Sequence, residues 1–444
     1  MPYQAGNRLG GESASKLGHL DVLNSLFVNE VVQQFEKPDL SEIKAPDIHW
    51  YEVDQNAVPL KYIFASDGSL QHLASTGNPK REISYVKTAL LRLDPFMIEK
   101  IDPDYPHPYQ LRKIMTDSAQ HHATVFPMKN ITIHGTEWIS GLRRLIFDSF
   151  KDPQLDGEPY ETLKWILYKK WFGGQKCRSP SFECPECYAE NSGMEFDADT
   201  TRCSSCGSTL FITDVLGLHM EMSEEAASET LASAYMMIHE TMMLFTAIRY
   251  LWNRNHKVLC DTLFLKDGPL TLRGQYSKIV PNIRDFLAYA MQKGAPVHLC
   301  GQEKTGKFVD FFQGTAHLFK PLDKVDVPRF SPLSHKFIHS EVQRKREPQY
   351  PYGYRTNYGE KVLLKQSPHH LFVLNIPTGQ YLDDDDKPNC KEDLIGIDRI
   401  MATIPKMISY RHESALVPIE LVNGIASLSN YPSATVLKLF SGLE

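Results

Sequence analysis

The chain has 444 residues, 42% of them hydrophobic and 23% charged, with a formal net charge of −6. That length builds a large core and two or three folding units, and the charge excludes binding to nucleic acid by bulk basicity. No apolar run of 18 residues announces a membrane span, and the first residues lack the layout of a secretory signal, so a cytoplasmic protein is expected.

Residues 1–15 are rich in Gly and Ser and read as mobile, ahead of an amphipathic helix over 16–35 that Lys37-Pro38 stops. A short apolar run then ends in Asp67-Gly68-Ser69-Leu70, which reads as a buried strand delivering a carboxylate at its C-terminal end, where glycine lets the chain turn. A second strand is expected over 83–91. Residues 101–130, with four prolines, read as loop with short helical pieces. Helical patterns cover 137–150 and 162–171.

At Gly173-Gly174 the composition changes. Cys184 and Cys187 form one Cys-x-x-Cys knuckle, and Cys203 and Cys206 form another 15 residues on. That spacing predicts a tetrahedral Zn²⁺ site whose four thiolates close the shell and leave no place for water. Such a site is structural, and it suits a reducing compartment better than a disulfide framework would.

A long helix is expected over 223–252, with Glu240 on an apolar face shared by Met236, Met243, Leu244 and Ala247. A carboxylate there calls for a metal, an ion pair with a nearby arginine, or a helix packed less deeply than its pattern suggests. The second apolar run ends in Asp267-Gly268-Pro269-Leu270. Either Asp-Gly alone is a common turn dipeptide, but two in the same strand-end context can bring two carboxylates to one divalent metal.

An amphipathic segment over 276–292 and a strand over 295–300 lead into Gly301-Gln302-Glu303-Lys304-Thr305-Gly306-Lys307-Phe308. This matches most of a phosphate-cradling loop, but Phe308 stands where the Mg²⁺-binding hydroxyl belongs and no clear helix start follows. Lys304, at a strand end, reads better as a phosphate contact. Residues 320–368 read as loop-rich, a strand is expected over 370–375, and four aspartates at 383–386 read as a solvated loop. Two helical patterns close the chain, the second containing Pro418, Leu421 and Ile425.

Strand-Asp67-Gly68-Ser69, a helix bearing Glu240, strand-Asp267-Gly268-Pro269-Leu270 and a strand leading to Lys304-Thr305 occur in that order, and this resembles the NurA family of nucleases over about residues 40–440. The resemblance implies an α/β fold with an RNase H-like mixed sheet flanked by helices, interrupted by a small four-cysteine zinc-ribbon insertion. The expected organisation is an N-terminal segment and helix (1–40), a first part of the nuclease core (41–172), the ribbon (173–212) and the rest of the core (213–444).

The resemblance also implies Mn²⁺- or Mg²⁺-dependent DNA cleavage by a homodimer that works with a HerA-like hexameric ATPase in DNA-end processing or defence against foreign DNA. Asp67 and Asp267 match the family's metal-binding aspartates and Glu240 its helix-borne glutamate. The last catalytic group falls to His412, Glu420 or Asn423. Two other readings stand beside the nuclease: an inactive zinc-bearing scaffold that binds DNA or a partner, and a P-loop-type NTPase.

Overall fold

The computed structural model describes residues 22–35, 48–94, 107, 118–133, 135–222, 229–318, 327–345, 350–367, 370–380, 390–409, 414–428 and 433–443. The segment 1–15, the acidic quartet 383–386 and His412 lie outside them. The chain divides into two units, Met1–Pro46 and Asp47–Glu444. In the first, helix α1 (Leu26–Gln33) is capped by Ser25, whose side chain accepts from the Val28 N–H.

The second unit is built on nine strands: β1 (Tyr51–Glu52), β2 (Tyr62–Ala74), β3 (Glu82–Leu93), β4 (Ala119–Lys129), β5 (Thr262–Asp267), β6 (His298–Glu303), β7 (Arg329–Pro332), β8 (Glu360–Lys365) and β9 (Leu371–Ile376). They form one sheet in the order β1-β7-β8-β9-β6-β5-β2-β3-β4. Within it β2, β3 and β4 are an antiparallel meander, while β5 runs parallel to β2 and β6 parallel to β5. Counted along the chain, these five lie in the spatial order 3-2-1-4-5 with only the second antiparallel, which is the RNase H-like arrangement. The fold class is therefore α/β, a mixed sheet flanked by helices.

Helices cover both faces. On one lie α2 (Trp138–Phe150), α3 (Glu158–Leu167), α4 (Thr230–Arg254) and α5 (Val280–Gln292). Their Phe150, Ile166, Phe245 and Phe286 share a buried cluster with Phe264 and Leu299 of the sheet. Helix α6 (Lys307–Thr315) belongs to a smaller cluster around Phe308 and Phe312. On the opposite face α7 (Ile397–Thr403) and α8 (Val417–Ala426) bury Ile400, Met401, Ile419 and Val422 against Ile63, Ala65, Leu263 and Leu265. Among the described residues, α4 is the one helix long and apolar enough to cross a membrane by length and composition, and 78% of its apolar window is buried within the fold.

Three sequence expectations need correction. Asp67-Gly68 does not end a strand: β2 runs on to Ala74, with Asp67 opposite Ala89 and Gly68 opposite Thr88 of β3. Glycine is needed there because a Cβ would lie 2.7 Å from Cγ of Met236, so its absence lets α4 settle against the strand. Part of the stretch read as loop over 101–130 is β4, which holds Pro127. Among the described residues it pairs only with β3, so the N–H that proline lacks is not missed on the outer edge. The third is the segment 320–368, which contains β7 and β8. All six residues of β8 are buried, with Glu360 bound to Arg284 and Lys361 to Glu303 and Asn375. Charged residues buried in partnership with α5 and with other strands hide the strand from a hydropathy reading.

Candidate functional site

Strand β5 lies between β2 and β6, and its register aligns Lys266 with Ser66 on one side and Asp267 with Gln302 on the other. Asp67 and Asp267, each one residue beyond the Ser66/Lys266 pair, are therefore neighbours on parallel strands. Alternation points both toward the α8 face, where Ala65 and Leu265 pack two residues earlier. The turn expected after Asp267 is present, with Gly268 at φ +87°. The chain then passes so close to β6 that a Cβ on Gly301 would stand 2.6 Å from the Gly268 carbonyl oxygen.

Each aspartate has its own partners. Asn423 Nδ2 on α8 donates to Asp67 Oδ2 at 2.7 Å, and the Gly68 N–H donates to Asp67 Oδ1 at 2.7 Å. Lys304 Nζ lies 2.7 Å from Asp267 Oδ2. Burial first, then the negative charge of Asp267, push the Asp67 carboxyl up to about 6, against the opposing pull of Asn423, Gly68 and Lys304. Two crowded carboxylates with hard oxygen donors are a fit for Mg²⁺ or Mn²⁺.

Glu240 is placed differently. It comes from α4, one turn after Met236, and lies behind the sheet with Oε1 3.0 Å from Nζ of Lys266. Both side chains are 5% exposed. Burial pushes Glu240 up to about 8, with Asp67 and Asp267 adding to the rise and Lys266 opposing it. Burial pulls Lys266 down, yet Glu240 holds it above its ordinary value, which it can do only as a charged glutamate. We take the pair as an ion pair, because the short contact gives each charge its partner. As an ion pair it carries no net charge. Among the described residues, the two aspartates and Glu240 do not converge as a three-ligand group.

Of the C-terminal candidates, Asn423 reaches Asp67, whereas Glu420 accepts a hydrogen bond from Ser409 at 2.7 Å and His412 is outside the described residues. Lys266 escaped the sequence reading. Its signal was a lone lysine directly after Leu263-Phe264-Leu265, in an apolar strand that can carry an ammonium only beside an anion.

The segment 301–308 does not form a phosphate cradle. Gly301 is inside β6, paired with Lys266 and Asn375, and only three residues separate the strand from α6. A helix does begin at Lys307, contrary to the expectation from sequence, yet no glycine-rich loop precedes it. Phe308 is 7% exposed and belongs to a core cluster with Phe312, which explains an aromatic ring where a phosphate loop has a hydroxyl.

The four cysteines form the second candidate centre. Short hairpins at Phe182–Glu183/Glu190–Asn191 and Thr200–Arg202/Thr209–Phe211 present them, and their sulfurs all lie within 4.8 Å of one another. Cys184–Cys206 and Cys187–Cys203 are each 3.7 Å apart. A tetrahedron with Zn–S bonds of about 2.3 Å has edges of about 3.8 Å, so this cluster fits a zinc ribbon. The ribbon is tied into the core by Arg143 of α2, which is 4% exposed. Its guanidinium donates to both oxygens of Asp214 at 3.0 and 2.7 Å, to Glu186 at 2.9 Å and to the Thr209 carbonyl at 2.8 Å. Phe182, Cys184, Met194, Leu210 and Phe211 are buried in the same cluster as α2–α5.

An RNase H-like sheet with paired aspartates at neighbouring strand positions, plus a four-thiolate ribbon, is what the chain presents. Among solved structures, one described as "Crystal structure of NurA" aligns with 98% of this chain and 98% of its own, at 8% identity and a TM-score of 0.30. No family model and no curated protein matches the sequence.

Proposed function

We propose that the chain is a divalent-cation-dependent nuclease that cleaves DNA. The observation behind this reading is the placing of Asp67 and Asp267 side by side on parallel strands, with Lys304 and Asn423 at their outer oxygens. Mg²⁺ or Mn²⁺ bound to such carboxylates supplies Lewis-acid charge for a scissile phosphate and an activated water.

The chain's own residues have separate tasks. Asn423 and the Gly68 N–H, one on each oxygen, fix the rotation of the Asp67 carboxylate. Lys304, with its side chain 32% exposed, can leave Asp267 and hold a non-bridging phosphate oxygen. The ribbon has a closed shell and serves structure. A homodimer and a HerA-like hexameric ATPase that feeds duplex to it belong to this proposal through the family resemblance.

A second reading, a chain that binds DNA or a partner without cutting, draws support from Glu240, which is held by Lys266 rather than beside the aspartates. Plasmid and linear DNA incubated with purified protein in Mn²⁺, in Mg²⁺ and in chelator separate the two. Cleavage in the metals, lost in chelator and lost by more than about a hundredfold in Asp67→Ala and Asp267→Ala, is expected of the nuclease. Full activity in either variant would sink it, and metal-independent DNA binding without cleavage would promote the scaffold.

A further inference from the structure

Resting on that reading, we infer that Lys266 supplies the positive charge of a second cation, so that the centre takes a single divalent ion on Asp67 and Asp267 and leaves Glu240 outside the ligand set. Lys266 immediately precedes Asp267, and its side chain passes to the opposite face of the sheet, where Nζ meets Glu240 at 3.0 Å and donates to the Asp267 carbonyl oxygen at 3.0 Å. An ammonium thus stands directly behind the aspartate, between the two aspartates and the third carboxylate.

The pocket leaves that ammonium no other place. Lys266 is 4% exposed, and Phe264, two residues earlier on the same face, is fully buried. Releasing Glu240 to a metal would leave that buried charge with the Asp267 carbonyl but no paired carboxylate, a state proteins avoid more strongly than they avoid the pair itself. Moving Glu240 to the α8 face would therefore break the ion pair that holds Lys266.

Charge counting gives the same answer. Asp67 and Asp267 against Lys304, with the Glu240–Lys266 pair cancelling, leave one net negative charge at the centre. One divalent ion turns that to one positive charge, which a single phosphodiester neutralises. A second would leave excess positive charge in a poorly solvated site, and two dications repel four times as strongly as two unit charges at the same distance.

The test is a count of Mn²⁺ bound by the full, zinc-loaded chain, read at neutral pH from the spin-resonance signal of free Mn²⁺ during titration. One Mn²⁺ per chain is expected in the wild type, and two would overturn the inference. Lys266→Met frees Glu240 and is expected to raise the count to two, and a count that stays at one overturns the stand-in role. The uncharged pair Glu240→Gln/Lys266→Met keeps the pocket filled and should return the count to one, with Kd within about threefold of wild type. Weakening beyond about tenfold would make Glu240 a ligand after all. Should Lys266→Met fail to fold, the wild-type count and the double variant still decide. No Mn²⁺ in the wild type would instead remove the metal-centre reading itself.

Discussion

The two candidate metal centres are built in opposite ways. The ribbon draws its four donors from one stretch of 23 residues, Cys184 to Cys206, on two small hairpins, and its sulfurs already stand at the spacing a zinc ion needs. The carboxylate centre draws Asp67, Asp267, Lys304 and Asn423 from four places spread across the unit, with Asp67 held by Asn423 and Asp267 by Lys304. One site is specified by local spacing and the other by the sheet. A local site depends on its ion for its own shape, whereas the sheet holds the carboxylates together even while they repel.

The largest expected effect lies at the ribbon. Cys184→Ser should release zinc and lower the melting temperature of the whole Asp47–Glu444 unit by roughly 10 °C or more, because metal binding at such sites is folding free energy. Phe182, Leu210 and Phe211 are buried in the shared core, each contributing about 1.5–3 kcal/mol, so the damage should not stop at the hairpins. A calorimetric scan showing an unchanged main transition, with only the ribbon open to protease, would break the comparison at its first term.

A smaller loss is expected from Arg143→Met, which leaves Asp214 without its bidentate partner and should cost about 3–5 kcal/mol in urea unfolding. Zinc should remain bound, since no sulfur is touched. Loss of zinc from this variant would mean that the core shapes the thiolate cluster and that the ribbon is not a local site.

The smallest effect belongs to the carboxylates and changes sign with metal. The folded-state carboxyl of Asp67 lies near 6, above its ordinary 3.8, so the protonated form is favoured by folding. Its contribution is complete below about pH 4 and fades as pH rises through 6, costing at most about 3 kcal/mol by neutrality. Asp67→Asn should therefore raise the metal-free melting temperature slightly at neutral pH and leave it little changed in acid. Mn²⁺ requires the ionised form, so wild-type affinity should weaken about tenfold per pH unit below 6 and level off above it. A pH-independent Kd between about pH 5 and 7 would show that Asp67 is not a ligand.

The same contrast decides what could be read from sequence. The cysteines declare themselves because zinc dictates a spacing along the chain. Asp67 and Asp267 were visible as a repeated Asp-Gly, though for a reason only half right. Gly268 makes a turn, but Gly68 makes room for Met236. Lys266 and Glu240 could not be paired from sequence, since nothing in either segment states that α4 crosses β5 at that point. Strands β4 and β8 were hidden by a proline on an outer edge and by charges buried in partnership with α5 and with other strands. Asn423 was one of three candidates until the helix it sits on was seen to face Asp67.

The contact at Gly301 has a consequence for how the centre moves. With the Gly268 carbonyl close against that glycine and the Gly268 N–H donating to the Gln302 carbonyl at 2.7 Å, the turn after Asp267 is tied to β6. On the nuclease reading, an incoming phosphate would take Lys304 from Asp267 by the rotation of one partly exposed side chain. Such rotations take picoseconds to nanoseconds. In the proposed nuclease, handover at Lys304 would then be too fast to limit turnover.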